Sequence, residues 1–118
     1  MPDSEPAQQA LIELSEWIDA GNGHRDPEAI AWGRLAKIGE EFGEVIEAWI
    51  GYTGQNPRKG KTHRKDDVIE ELLDVAVTAL GAAEHLGRHR GDSIEFLFDK
   101  IVRVRDRALN QQQVGEQR

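Results

Sequence analysis

The chain has 118 residues, with 22 acidic and 15 basic side chains, a net charge of -7 and no cysteine. This length predicts one domain, 1–118, with a core from about 6 to 110. The negative charge argues against broad nucleic-acid binding, and the lack of cysteine excludes disulfides and thiolate metal sites. Because an apolar fraction of 38% is low for a globular domain, we expect self-association as a homodimer or homotetramer.

Neither export nor membrane insertion is expected from the apolar pattern. Residues 1–10 lack the basic start and apolar run of a secretory signal. No apolar stretch reaches the roughly 18 residues that a membrane-spanning helix needs. We therefore expect a cytoplasmic protein with no membrane partner.

Two helices are predicted in the N-terminal half. Apolar residues recur at three-and-four spacing over about 6–20, and the glycines at 21–23 end this first helix. Asp26 followed by Pro27 is typical of a helix start, because aspartate caps the first turn and proline lacks an N–H that would have no partner there. The second helix is predicted from Pro27 to the residue before Gly51.

Two further helices are predicted after a loop at 51–64, which is rich in glycine and basic residues. Asp66 or Asp67 is expected to cap the third helix, which ends near residue 86. Asp92 or Ser93 is expected to cap the fourth, which ends near residue 110 before a frayed tail. The fold class is therefore all-α, with four helices in a closed bundle or in a half-bundle that a second chain completes.

Helices two and three each carry a pair of carboxylates three residues apart. Glu41 and Glu44 lie on one side of helix two, and Glu71 and Asp74 hold the same relation on helix three. If the two helices pack antiparallel, both pairs meet between them. One such pair alone usually lies on a solvated face, but two pairs on consecutive helices favour a metal site.

Magnesium is the ion that suits these residues. Carboxylates this close repel each other, and Mg²⁺ offsets the repulsion because it prefers oxygen ligands and is commonly shared with substrate phosphates. A di-iron centre in a helical bundle would instead require Glu-x-x-His motifs, which neither helix has. We therefore predict Glu41, Glu44, Glu71 and Asp74 as Mg²⁺ ligands, with Mn²⁺ able to substitute.

The same residues form a pattern that resembles a known family. The string K-x-x-E-E-x-x-E at 37–44 and the string E-E-x-x-D at 70–74 are similar to motifs of the MazG-like all-α nucleotide pyrophosphohydrolases. That superfamily also includes dimeric dUTPases and phosphoribosyl-ATP pyrophosphohydrolases. The similarity covers about 31–86, and the fourth helix matches more loosely through Lys100 and Arg103.

The resemblance implies a four-helix MazG-like bundle that hydrolyses a nucleoside triphosphate between its α- and β-phosphates, releasing a monophosphate and pyrophosphate. It carries Glu41, Glu44, Glu71 and Asp74 over as Mg²⁺ ligands. Glu40, beside them, supports the metal ligands or accepts a proton from the attacking water. Family members often have Asn or Asp shortly after the second motif to help bind the nucleotide, whereas this chain reads VAVT at 75–78, so the base and sugar stay open.

Several cations are candidates for binding the phosphates. Lys37 lies on the helix that carries the first carboxylate pair, although it can also pair with Glu41. The basic loop offers further candidates, for which a merely solvated loop is the alternative, and helix four offers two more. In full, the candidates are Lys37, Arg58, Lys59, Lys61, Arg64, Lys100 and Arg103.

Two other pairs have both a functional and a structural interpretation. Trp49 and Tyr52 flank the basic loop and are candidates for stacking on a base, although aromatic residues at helical spacing more often belong to a core or an interface. His85 and His89 stand four apart, which suits a metal, but near a helix end a solvated position is the commoner one.

Three functions remain open on these residues. The leading one is pyrophosphohydrolysis of NTPs or dNTPs, with removal of noncanonical nucleotides as its purpose. Phosphoribosyl-ATP hydrolysis differs from it only in substrate. A non-catalytic helical adaptor that keeps the carboxylates for a structural cation belongs to another class.

Overall fold

The computed structural model describes residues 4–89 and 91–117, with side chains described as far as residue 111. It contains four helices, α1 (Ser4–Gly21), α2 (Pro27–Thr53), α3 (Lys65–Leu86) and α4 (Ser93–Gln117). Because no strand occurs in these ranges, the predicted all-α class with four helices is confirmed. Over the same ranges, no helix combines the length and the apolar character needed to cross a membrane.

Helix α2 begins as predicted but ends later. The Asp26 carboxylate accepts hydrogen bonds from the backbone N–H groups of Glu28 (3.1 Å) and Ala29 (3.4 Å), which caps the first turn. The predicted end at Gly51 was wrong, because the left-handed residue that ends the helix is Gly54, with φ 69°. The backbone N–H of Gly54 donates to the carbonyl of Ile50 at 3.0 Å.

Gly51 is instead a buried residue inside α2 that allows a close approach of the following loop. Its carbonyl accepts a hydrogen bond from the backbone N–H of Thr62 at 2.9 Å. A Cβ atom at this position would overlap the side chains of Thr62 and His63. Gly51 therefore allows the loop before α3 to pack closely against α2, and it does not end α2.

The cap of α3 differs from the prediction, whereas α4 starts where predicted, with the Asp92 carbonyl accepting the N–H of Phe96 at 3.0 Å. Arg64 occupies the cap position of α3. Its backbone N–H donates at 2.8 Å to the side chain of Asp67, which is the third residue of the helix. Ser93 begins α4, but its backbone N–H and its hydroxyl both donate to Glu84 on α3. The predicted end near residue 110 was too early, since α4 continues to Gln117.

The helices pack around an α2–α3 hairpin. These two helices run antiparallel across the loop that follows α2, and their contact buries Val45, Ala48 and Val68, with Tyr52 and Val75 packed beside them. Helix α1 packs against α3, and α4 contacts α3 and α1. The radius of gyration is 18.3 Å, whereas a compact domain of this length has about 13–14 Å, so the single chain is open.

Glu84 joins three helices at one end of the hairpin. Its side chain is 2% exposed and accepts hydrogen bonds from Gln8 of α1 (2.8 Å), from the backbone of Gly91 (3.3 Å), and from the backbone (3.1 Å) and hydroxyl of Ser93. Burial raises the pKa of this carboxyl, but the donors, with Ser93 first, outweigh burial and hold the pKa below its ordinary value. The charged carboxylate is therefore the form that the fold requires.

Candidate metal centre

Three of the four predicted ligands converge between α2 and α3. Glu41 and Glu44 stand one turn apart on α2, and Glu71 approaches them from α3. One carboxylate oxygen from each lies within 4.8 Å of the other two. Three oxygens at such separations can contact one divalent ion at the usual distances of about 2.0–2.6 Å.

Glu71 supplies the most informative atom of this cluster. Its Oε2 is buried and has no hydrogen-bond partner within the described residues. Leaving a buried acceptor unpaired costs about 1–3 kcal/mol, and more for a charged group. A carboxylate oxygen in this position fits a hard cation, because Mg²⁺ takes oxygen ligands and would supply the missing partner.

Lys37 is the cation nearest to the cluster. Its Nζ lies 3.1 Å from Glu40 and 3.6 Å from Glu41, and the side chain is about half exposed. Glu40 first, and Glu41 after it, favour the charged ammonium and hold the pKa of Lys37 above its ordinary value. Over residues 4–89 and 91–111, no Lys, Arg or His pairs with Glu44 or Glu71. Glu44 and Glu71 thus have no basic partner among these residues.

Asp74 is not part of this group of three. It lies one helical turn after Glu71 on α3, and its side chain is exposed. The structure therefore brings Glu41, Glu44 and Glu71 together and leaves Asp74 at the margin.

A cavity of about 520 Å³ lies between α1, α2 and α3, and none of the three carboxylates lines it. Its walls are mostly apolar, with Leu14 and Val77 among them, and Arg25, Arg34 and Lys37 add positive charge. Lys37 lines this cavity and its Nζ lies 3.6 Å from Glu41, so this side chain connects the cavity with the carboxylate cluster. Its volume is in the range of about 300–1,000 Å³ that is usual for small-molecule sites.

The other predicted phosphate-binding residues lie elsewhere in the single chain. Arg58, Lys59, Lys61 and Arg64 are exposed in the loop beyond α2, which begins about 15 Å along the helix axis from Glu44. Arg64 pairs with Asp66 at 3.7 Å. Lys100 and Arg103 are exposed on α4. None of these six residues lines the cavity.

The predicted stacking pair has a structural setting. The rings of Trp49 and Tyr52 lie 5.5 Å apart and are tilted, and Tyr52 packs against the core of the hairpin. Neither residue lines the cavity beside the carboxylates. The core interpretation therefore fits Tyr52, while half of Trp49 remains exposed.

Arg34 is a buried residue that the sequence interpretation missed. Its Nη2 donates to the backbone carbonyl (2.7 Å) and the hydroxyl (2.8 Å) of Ser15 and to Asp19 (3.0 Å). These bonds tie α2 to α1 and form one wall of the cavity. The signal was present, because Arg34 stands at four-residue spacing between Ile30 and Ile38 on the inward face of α2.

The site thus combines three converging carboxylates, a lysine that contacts one of them, and an apolar cavity that the same lysine lines. Such a site can hold a divalent ion beside the phosphates of a ligand whose apolar part enters the cavity. Comparisons of the chain with protein-family models, with curated proteins and with solved structures found no match.

Proposed function

We propose that this chain is a Mg²⁺-dependent nucleoside triphosphate pyrophosphohydrolase of the MazG-like type. It hydrolyses NTPs or dNTPs between the α- and β-phosphates and releases a nucleoside monophosphate and pyrophosphate, with removal of noncanonical nucleotides as its purpose. The observation that carries the proposal is the buried and unpartnered Oε2 of Glu71, a residue whose carboxylate meets those of Glu41 and Glu44, while the neighbouring Lys37 lines a cavity of nucleoside size.

The ion would be held by Glu41, Glu44 and Glu71. Asp74 is exposed and one turn from Glu71, so its side chain can join them when a phosphate arrives. Bound Mg²⁺, or Mn²⁺ in its place, supplies positive charge to the phosphate oxygens and makes the attacking water more acidic.

Lys37 and Glu40 carry the steps that belong to the protein. They pair in the free chain, and when the ammonium of Lys37 turns to a phosphate oxygen, the carboxylate of Glu40 is released to accept a proton from water. The water oxygen then bonds to the α-phosphorus while the bond from that phosphorus to the α,β-bridging oxygen breaks. Pyrophosphate leaves with the bridging oxygen, and no protein nucleophile is needed.

The nucleoside occupies the cavity between α1, α2 and α3. Leu14, Ile18 and Val77 provide apolar surface for the base and sugar, while Lys37 marks the end at which the phosphates emerge. The guanidinium of Arg34 is already bonded to Ser15 and Asp19, and Arg25 donates to Asn22, so both shape the wall. Lys37, which contacts Glu41, binds the phosphates.

Self-association is the second part of the proposal, and a second copy of the chain is the partner. The open shape of the monomer and the large apolar residues on the outer faces of three helices support it. These residues include Phe42, Ile46, Ile69, Leu72, Leu73, Ile101, Val102 and Val104. Light scattering should show a dimer or tetramer at micromolar concentration, and a stable monomer would contradict this part.

The activity is tested by pyrophosphate release across a panel of NTPs, dNTPs, noncanonical nucleotides and phosphoribosyl-ATP. We expect release with Mg²⁺ or Mn²⁺ and none after chelation with EDTA. If phosphoribosyl-ATP is the preferred substrate, the proposed substrate is replaced but the proposed hydrolysis between the α- and β-phosphates still applies. A folded protein that binds Mg²⁺ yet releases no pyrophosphate from any substrate would contradict the proposal and favour the adaptor.

A further inference from the structure

A second group of metal-ligand side chains meets where the end of α3 packs against α1. It consists of Asp19 on α1, His85 in the last turn of α3 and His89 in the turn that follows. The Oδ2 atom of Asp19 lies 2.7 Å from Nδ1 of His85 and 3.3 Å from Nε2 of His89. One ligand atom from each residue lies within 4.8 Å of the other two.

We propose that Asp19, His85 and His89 form a second metal site, which takes Zn²⁺ or a similar transition ion. Two imidazole nitrogens and one carboxylate oxygen are a ligand set that suits Zn²⁺ and not Mg²⁺, which prefers oxygen alone. All three side chains are about one-fifth exposed, so an ion can enter and a water can complete its coordination.

The surroundings of Asp19 orient it for this role. Arg34 donates to Oδ1, which leaves Oδ2 directed at the two histidines. A partner that fixes one oxygen of a ligating carboxylate is typical of the groups that support metal ligands. Ser15 adds a hydroxyl 3.0 Å from Nε2 of His89, where it can bind a water on the ion.

The backbone also directs His89 toward the site. Arg88 and His89 have φ values of 59° and 56°, a left-handed conformation that is uncommon for residues other than glycine. The N–H of His89 donates to the carbonyl of Glu84 at 2.8 Å, which holds this turn. As a result the ring of His89 returns to Asp19 instead of continuing the line of α3.

The second site is separate from the carboxylate cluster. His85 lies about 21 Å along α3 from Glu71, so one ion cannot contact both groups. An ion held by Asp19, His85 and His89 would tie the end of α3 to α1. Its role is therefore structural, and it does not depend on the proposed reaction.

Titration of the metal-free protein with Zn²⁺ in excess Mg²⁺ tests the site, because Mg²⁺ occupies the carboxylate cluster. We expect one Zn²⁺ per chain by calorimetry, and a rise in Tm of about 10 °C at 100-fold excess over Kd. Proton NMR should show ring signals of His85 and His89 shifting on binding, while those of His24 and His63 stay unchanged.

His89→Asn should weaken Zn²⁺ binding by about 100-fold or more, because asparagine tolerates the left-handed backbone but removes the imidazole. Arg88→Asn is the matched control, since it introduces asparagine at the neighbouring left-handed position. This variant should bind Zn²⁺ as tightly as the parent does. Circular dichroism verifies that both variants remain helical.

Two results would overturn the proposal. The first is a protein that takes up no Zn²⁺ and whose His85 and His89 signals do not move. The second is Zn²⁺ binding that persists in His89→Asn and His85→Gln but disappears in Glu71→Gln, which would assign the ion to the carboxylate cluster. Pyrophosphate release is measured separately with Mg²⁺ alone. A protein that binds no Zn²⁺ can therefore still be a pyrophosphohydrolase, and a protein without that activity can still bind Zn²⁺ at this site.

Discussion

Glu71→Gln should lower pyrophosphate release by about 100-fold or more while the protein remains folded. The amide keeps the size of the side chain but removes the negative charge from the position of the buried Oε2. Glu41 and Glu44 would then have to hold the ion without their partner on α3. Calorimetry should show a matching loss of Mg²⁺ affinity.

In the metal-free protein, Glu71→Gln should not reduce thermal stability, although it reduces activity and Mg²⁺ affinity. The Glu71 carboxylate has a buried oxygen without a partner and lies near two other carboxylates, which destabilises the fold, so its neutralisation should leave the Tm unchanged or raise it. Glu70→Gln is the matched control, because it alters the preceding exposed residue of the same helix. Equal loss of activity in both variants, or full activity in Glu71→Gln, would count against the metal assignment.

Glu84→Gln should reduce the free energy of unfolding by about 2–4 kcal/mol at neutral pH. Four donors from Gln8, Gly91 and Ser93 converge on this buried carboxylate. A glutamine replaces one acceptor oxygen with an NH₂ group, which sets donor against donor and leaves buried groups unpaired. Urea unfolding measures the loss, with Glu95→Gln on the exposed face of α4 as the control that changes little.

The stabilisation by Glu84 should depend on pH in a defined direction. The pKa of Glu84 in the fold is below its ordinary value of 4.5, so the unfolded chain binds the proton more readily. The contribution is therefore complete above the unfolded pKa and is lost as pH falls through the folded one. The difference between parent and Glu84→Gln should be constant near neutrality and shrink in acid, and a difference that grows in acid would contradict this assignment.

The four helices could be predicted because each carries an apolar repeat and most are bounded by strong local signals. Asp26 and Pro27 mark the start of α2 through local chemistry alone, and the structure agrees. Gly51 could not be interpreted locally, since its role depends on the approach of Thr62 and His63 from a later segment. The end of α4 was placed too early because the residues near 110 contain no strong stop signal.

The carboxylate cluster was accessible from sequence because helical periodicity fixes which residues of α2 and α3 share a face. Periodicity does not fix how far each side chain reaches, so the position of Asp74 at the margin needed the structure. Of the group of Asp19, His85 and His89, only the two histidines could be recognised from the sequence. Its histidines stand four apart, but Asp19 comes from a helix 66 residues earlier than His85, and only tertiary structure joins them.

Anomalous scattering from crystals grown with Mn²⁺ locates the ion without reference to activity and so decides whether the three carboxylates hold it. We expect a Mn²⁺ peak between α2 and α3, within about 2.0–2.6 Å of oxygens from Glu41, Glu44 and Glu71. Carboxylates directed to separate regions of solvent, with no peak between them in crystals saturated with Mn²⁺, would contradict this expectation.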